Sequence, residues 1–334
     1  MKVRFLPLQP HCFAFGGFEI QMLSTLDAVK AAGTNAEKLD VWSRSKDFDV
    51  LHVWGLDQSQ YNTIYWAKRE GKKVVVTALL PYMESVYQKL RHVLFSEIGN
   101  EKYMRKICSM IDALVLVNDL QKKVAIKYFG SKPASTFEIP NVVSEEFFKH
   151  DKKYSDTGPG GLTEYVLVTG NVCRRKNQLS VARACAQSKT PLLVIGPVLA
   201  GEQEYGSELR KVVEQSSNIK WIEGLEAGSP EMVRAVAECA LMVLPSYTEQ
   251  QPISLLEAAV CGKPLVIADR EYAHQKYYEN SCKVDPDSIE SIQQGISKVI
   301  SDRNRFTAPA SAVEACRASS VGREYVRIYG SLLA

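Results

Sequence analysis

Short runs of aliphatic residues recur along this chain, and each is followed by a helical stretch. KVRFL at 2–6, KVVVTA at 73–78, ALVLV at 113–117, YVLVT at 165–169, PLLVIG at 191–196, LMVL at 241–244 and LVIA at 265–268 are mostly apolar on successive positions. A strand apolar on both sides must be covered on both faces, which is the condition of a parallel sheet wrapped by crossover helices. The segments between supply those helices. Residues 18–32, for example, place Ile20, Leu23, Leu26 and Val29 on one helical face. Crossovers of this kind are right-handed, so few topologies remain. A turn-rich stretch at 150–163, with Gly158, Pro159, Gly160 and Gly161, divides the series in two. At 334 residues the chain has length for two α/β domains with their own cores. The expected division is 1–150, 151–310 and a tail, 311–334. Ligands bind such sheets beyond the carboxyl ends of the strands, so the loops there are the places to look for chemistry.

The most informative of these loops is SYTEQQPISLLEAAVCG, Ser246 to Gly262, which follows the strand at 241–244. Ile253, Leu256 and Val260 recur at helical spacing, Pro252 suits the first turn, and Gly262 and Pro264 end the helix. Glu249 lies in the loop. Glu257, eight positions on, falls on the apolar face, where a carboxylate is costly unless something donates hydrogen bonds to it. The helix start at Gln251, Pro252, Ile253 and Ser254 offers free N–H groups and a positive dipole end, which suit a phosphate. An acid therefore stands at each end of a possible phosphate site. In a fully helical segment the two acids would be about 12 Å apart, the reach of a nucleoside diphosphate sugar.

Glu249, QQPISLL, Glu257, AAV and CGKP together resemble the donor-site signature of the retaining glycosyltransferases of family four, the group 1 type. The resemblance covers most of the chain. It implies an α/β GT-B fold, with two Rossmann-like parallel-sheet domains facing a central cleft and a C-terminal helix crossing back to the first domain. It also implies an enzyme that moves a hexose-type sugar from a nucleotide diphosphate sugar to a glycan, glycolipid or small-molecule acceptor. In that reading Glu257 meets the ribose hydroxyls and Glu249 the hexose. Gly16 and Gly17, before Phe18 and Glu19, resemble the family's N-terminal glycine loop, which lies against the donor diphosphate. GNVCRRKNQ at 170–178 resembles the loop whose arginine and lysine grip the same group. Lys176 matches the lysine. Asn171 occupies the usual arginine position, so Arg174 or Arg175 would supply that charge. Catalytic roles are thus implied for Glu249, Lys176 and Arg175, and donor contacts for Gly16, Gly17, Arg174, Gln251, Pro252, Ile253, Ser254 and Glu257.

The chain also departs from the family. Trp54 stands where the strand ending at 55 usually has a second histidine. Thr77 is followed by Ala78, Leu79, Leu80 and Pro81, without the usual histidine. His11, in a loop, could lie near the cleft instead. A nucleotide-sugar epimerase, or a relic that binds nucleotide sugar without transferring it, are the competing readings.

No cofactor is implied beyond the donor substrate. Lysine, arginine and helix N-termini can stabilise a leaving diphosphate by fixed positive charge, so no metal is expected. Net charge is +3, too small to imply nucleic acid. The scattered cysteines, without a C-x-x-C pair, read as reduced thiols of a cytoplasmic protein. No apolar run reaches the roughly 18 residues of a membrane span. Val86 to Met110 mixes Lys89, Arg91, His92, Lys102, Arg105 and Lys106 with apolar residues. It could be a helix pair that touches an anionic membrane from the cytoplasmic side, as synthesis of polysaccharide or glycolipid would suit.

Overall fold

The computed structural model describes residues 1–13, 16–82, 90, 92, 94, 98–149 and 159–334. They form two compact units, Met1–Val142 with Ala315–Ala334, and Val143–Glu314. The first unit runs β1 (Lys2–Leu6), α1 (Gly17–Ala31), β2 (Asn35–Lys38), β3 (Val50–Trp54), α2 (Tyr61–Arg69), β4 (Lys73–Ala78), α3 (Gly99–Met110), β5 (Ala113–Leu116), α4 (Asp119–Phe129) and β6 (Thr136–Glu138). The second runs α5 (Glu145–Lys149), β7 (Val166–Thr169), α6 (Gln178–Ser188), β8 (Leu192–Ile195), α7 (Gln203–Glu214), β9 (Ile219–Ile222), α8 (Pro230–Glu238), β10 (Leu241–Leu244), α9 (Ile253–Val260), β11 (Leu265–Ala268), β12 (Cys282–Val284), α10 (Ile289–Ser301) and α11 (Ala310–Glu314). The last helix, α12 (Ala318–Leu333), belongs to the first unit, where it packs along α1.

Each unit holds a six-stranded sheet, ordered β2-β1-β3-β4-β5-β6 and β12-β11-β10-β7-β8-β9. Every pairing among the named strands is parallel. The aliphatic runs explain this. Along β3, Val50 and Trp54 go to the core under α1 and α12, while Leu51 and Val53 go to the core under α2, α3 and α4. Along β4, Val75 joins the first core and Val74 and Val76 the second. Successive side chains face opposite ways, so both faces must be apolar and both must be covered. β2 was not anticipated. Its sequence, NAEK, buries only Ala36, because it lies at the sheet edge with little to cover it.

The units divide at Val142–Val143, ahead of the turn-rich stretch. The Gln21 side chain accepts from Val142 N at 2.8 Å and donates to its carbonyl at 3.1 Å, which ties that residue to α1. Phe147, just beyond, is buried in the second unit, and the Cys261 thiol approaches its carbonyl. Residues 150–158 of the turn-rich stretch lie outside the described residues, as do Lys89 and Arg91 of the basic segment. Of that segment, Gly99–Met110 is helical.

Trp54, which departs from the family pattern, and Thr77, after which the usual histidine is missing, both have structural employment. The Trp54 indole donates to Phe18 O at 3.0 Å and so fixes the start of α1. Thr77 Oγ1 is 2.8 Å from His52 Nε2 and 2.9 Å from the Tyr325 hydroxyl, and His52 Nδ1 is 2.7 Å from the Tyr329 hydroxyl. All four side chains are buried, and burial pushes the His52 imidazole down to about 3. The neutral ring bonds on both nitrogens, which satisfies a buried polar cluster joining β3 and β4 to α12.

Candidate active site

The order of the second sheet reverses direction after β9. The chain builds β7, β8 and β9 outward, then returns to place β10 against β7. The loops leaving β7 and β10 therefore diverge from adjacent strands, which is where open α/β sheets bind ligands. The loop after β7 holds Gly170 to Asn177, and the loop after β10 holds Pro245 to Pro252.

Gly170 (φ +114) and Gly196 (φ +143) make the first loop possible. A Cβ at Gly196 would lie 2.2 Å from Gly170 O, and one at Gly170 would lie 3.0 Å from Lys176 Nζ. The Gln178 amide then turns back to accept from Cys173 N (3.3 Å) and donate to Asn171 O (2.9 Å). Asn177 takes the left-handed conformation and donates to Pro286 O at 2.7 Å. The result is a tight loop that delivers Arg174, Arg175 and Lys176 on a single 3-10 turn.

These three cations separate. Arg175 Nη1 is 2.7 Å from Glu249 Oε1 and donates to Thr248 O at 2.6 Å. Lys176 Nζ is 3.2 Å from the same Glu249 oxygen, to which Ser246 Oγ also donates at 3.3 Å. The Glu249 and Lys176 side chains are only 11% and 13% exposed, against 47% for Arg175. Arg174 turns the other way. It lies over the Tyr205 ring and pairs with Glu204 at 3.1 Å, with Glu202 and Glu208 beside it. The charge that accompanies Lys176 at Glu249 is therefore Arg175.

The second loop is held from below by residues that sequence reasoning missed. Tyr272 donates to Leu244 O at 3.0 Å, Gln275 donates to Gln250 O at 2.6 Å, and Tyr278 donates to Pro252 O at 3.4 Å. Gln251 donates in turn to Gln275 Oε1. Tyr272 and Tyr278 sit on 3-10 turns after β11, with the buried Gln275 between them. Pro252 is the N-cap of α9 rather than a first-turn residue. Ile253 and Ser254 open the helix, where the first N–H groups have no intrahelical acceptor.

Glu257 lies one helix length away, on α9. It is only partly exposed, and burial pushes its carboxyl up to about 7. The expected donors are missing: among the described residues no group hydrogen-bonds this carboxylate. The sign of the consequence is fixed. A proton bound in the folded state at about 7, against an ordinary value of 4.5, means that stability falls as pH rises through that window. Glu257→Gln should therefore melt with the parent near pH 4.5 and above it at pH 8, by up to about 3 kcal/mol. The check is a pair of melting curves, and a variant less stable than the parent at pH 8 would show that the carboxylate is satisfied after all.

Gly16 and Gly17 lie in the first unit, at the start of α1. Gly16 has an extended backbone that any residue can adopt, and its N–H is capped by the Glu19 carboxylate at 2.9 Å. Ala14 and Phe15, before it, lie outside the described residues, and His11 is half-buried. Among the described residues no group of three or more His, Cys, Asp or Glu could hold a metal ion, none of the eight cysteines is in a disulfide, and only Cys12 is exposed.

Residues 152–315 match the family model described as glycosyl transferases group 1. An alpha-galactosylglucosyldiacylglycerol synthase of Streptococcus pneumoniae is 25% identical over 230 residues, which is 66% of this chain and 60% of the relative, so the match spans less than two thirds of that relative's length. An N-acetylgalactosaminyltransferase of Campylobacter jejuni that acts, by its name, on a diphospho-undecaprenol-linked sugar is 46% identical over 41 residues, 12% of this chain and 11% of its own. Among solved structures, Anabaena HepE in complex with UDP superposes with a TM-score of 0.69 at 15% identity, over 100% of this chain and 98% of its own. Sucrose-phosphate synthase from Thermosynechococcus elongatus gives 0.71 at 14% identity, over 100% and 99%. At these identities the structures speak for the fold.

Proposed function

The chain belongs to the group 1 glycosyl transferases through residues 152–315 and has their GT-B fold, and on that premise we propose that it is a retaining hexosyltransferase using a nucleoside diphosphate sugar. The observation that carries the proposal is the meeting of Glu249 with Arg175 and Lys176 at the head of α9, with an unpartnered Glu257 farther along the same helix. Arg175, Lys176 and the first amides of α9 offer fixed positive charge to a diphosphate leaving group. Glu257 offers ribose hydroxyls an acceptor that nothing else occupies, and Glu249 is the acid for the hexose. The bond from the anomeric carbon to the diphosphate breaks with its electron pair leaving on the diphosphate, the acceptor hydroxyl oxygen bonds to that carbon from the same face, and its proton passes to the departing diphosphate. Gly16, Gly17 and Arg174 are assigned weaker donor contacts, since the Gly16 N–H is already capped by Glu19 and Arg174 is drawn to Glu204.

HepE has been solved with UDP and with UDP-glucose, which makes UDP-glucose the first donor to try. The name of the S. pneumoniae relative supports a lipid-borne acceptor. The test is a thermal-shift panel of UDP-, GDP- and ADP-sugars, followed by donor hydrolysis. A donor that binds only the folded state raises the melting temperature, and a transferase leaks some sugar to water. No shift with any donor at millimolar concentration would overturn the reading.

Peripheral contact with an anionic membrane belongs to the same proposal. No helix among the described residues is long and apolar enough to cross a membrane. On α3, Lys102, Tyr103, Arg105 and Lys106 are exposed, and Lys106 lies over the Tyr61 and Tyr103 rings. Flotation with anionic vesicles should succeed at low salt and fail in about 0.5 M NaCl, because screening removes such attraction. Absence of flotation at low salt would leave α3 an ordinary solvated face.

A further inference from the structure

Glu249 occupies the place where a ligand's negative charge is wanted. A single carboxylate oxygen lies 2.7 Å from Arg175 Nη1 and 3.2 Å from Lys176 Nζ, and it also accepts from Ser246 Oγ. These are the cations that the site would turn toward a diphosphate. A lysine ammonium has three donors and a guanidinium a fixed fork, so neither can give its full charge to a phosphoryl group while it holds a buried carboxylate.

We propose that Glu249 is an internal competitor for the diphosphate seat. In the free protein its carboxylate neutralises Arg175 and Lys176. An entering diphosphate takes over those cations and releases Glu249 toward the sugar. The proposal rests on the reading of this site as a nucleoside diphosphate sugar site. It asks little of the backbone. Arg175 Nη1 also donates to Thr248 O (2.6 Å), and its own carbonyl accepts from Tyr247 N (2.9 Å), so the arginine stays docked when Glu249 leaves. The loop beneath is fixed by Tyr272 and Gln275. What moves is the Glu249 side chain and the end of Lys176.

Selectivity follows from charge. A neutral sugar cannot displace a carboxylate from two cations, whereas a diphosphate brings more charge and more acceptor oxygens. The hexose-binding acid is therefore freed only once the diphosphate is seated. A free sugar would find Glu249 already engaged.

The distinguishing experiment is calorimetry with inorganic pyrophosphate, which removes the unknown base and sugar. The parent, Glu249→Gln, Glu249→Asp and Lys176→Ala are compared at pH 8 and low salt. Removing the competitor should tighten pyrophosphate binding about tenfold in Glu249→Gln. The aspartate, too short to span both cations, should tighten it by a few-fold. Melting curves show whether each variant is folded, and if the glutamine variant is not, the aspartate decides. Binding no tighter than the parent in the folded Glu249 variants, with Lys176→Ala weakened, would overturn the exchange and leave the diphosphate seat intact. Unchanged affinity in all the variants would overturn the seat itself.

Discussion

Lys176→Ala should lower kcat/KM for the donor about 30- to 1,000-fold, with the fold retained. This is the 2–4 kcal/mol typical of removing one preorganised charge donor, expressed as a rate. The geometry places the effect at the leaving group. Lys176 is nearly buried, it ends the 3-10 turn beside the mouth of β7, and its ammonium shares Glu249 Oε1 with Arg175. Arg175 is half-exposed and held by Thr248 O, so it compensates only in part. The measurement is initial-rate kinetics on the donor, with melting curves as a control. A variant that keeps the parental kcat/KM would remove Lys176 from the reaction, and with it the strongest point of the assignment.

Gly196→Ala should be the most damaging small change in the second unit. The added Cβ would meet Gly170 O at 2.2 Å, and φ is +143, a conformation that alanine rarely adopts. Strain of this kind costs roughly 1–3 kcal/mol, and a forced shift of packed backbone costs as much again. The total, about 3 kcal/mol or more, should lower the melting temperature by roughly 6–12 °C for a unit of this size. Because the clash is with Gly170, the loop carrying Arg175 and Lys176 must move, so pyrophosphate affinity should fall as well. A melting temperature within about 2 °C of the parent would mean that the β7 and β8 loops separate easily, contrary to the packing described.

The two sheets could be read from the sequence because aliphatic runs at β4, β5, β7 and β10 leave no other way to bury both faces. The edge strand β2 could not, since three of its four residues are exposed and carry no periodic signal. At the site, Glu249, Lys176 and Glu257 were visible as charges at informative spacings. The reason Arg175 rather than Arg174 meets Glu249 was not, because it depends on a competing attraction. Glu202, Glu204 and Glu208 draw Arg174 toward α7, and nothing near Lys176 in sequence announces them. The scaffold under the second loop was hidden for a similar reason. Tyr272, Gln275 and Tyr278 act on backbone carbonyls more than twenty residues earlier, and such bonds leave no motif. The commitment of Thr77 to His52 and Tyr325 is likewise invisible in the sequence, because Tyr325 lies far along the chain.

That commitment bears on how the chain is made. The first unit is assembled from both ends of the polypeptide, and the second from one continuous stretch. On the ribosome the second unit's residues have all been synthesised while α12 is still missing. His52 and Thr77 then wait, without Tyr329 and Tyr325, through the translation of the whole intervening domain. A core polar pair left open for that long needs water or a chaperone to satisfy it. The half of the protein that is synthesised first is thus completed only after the other half has been made.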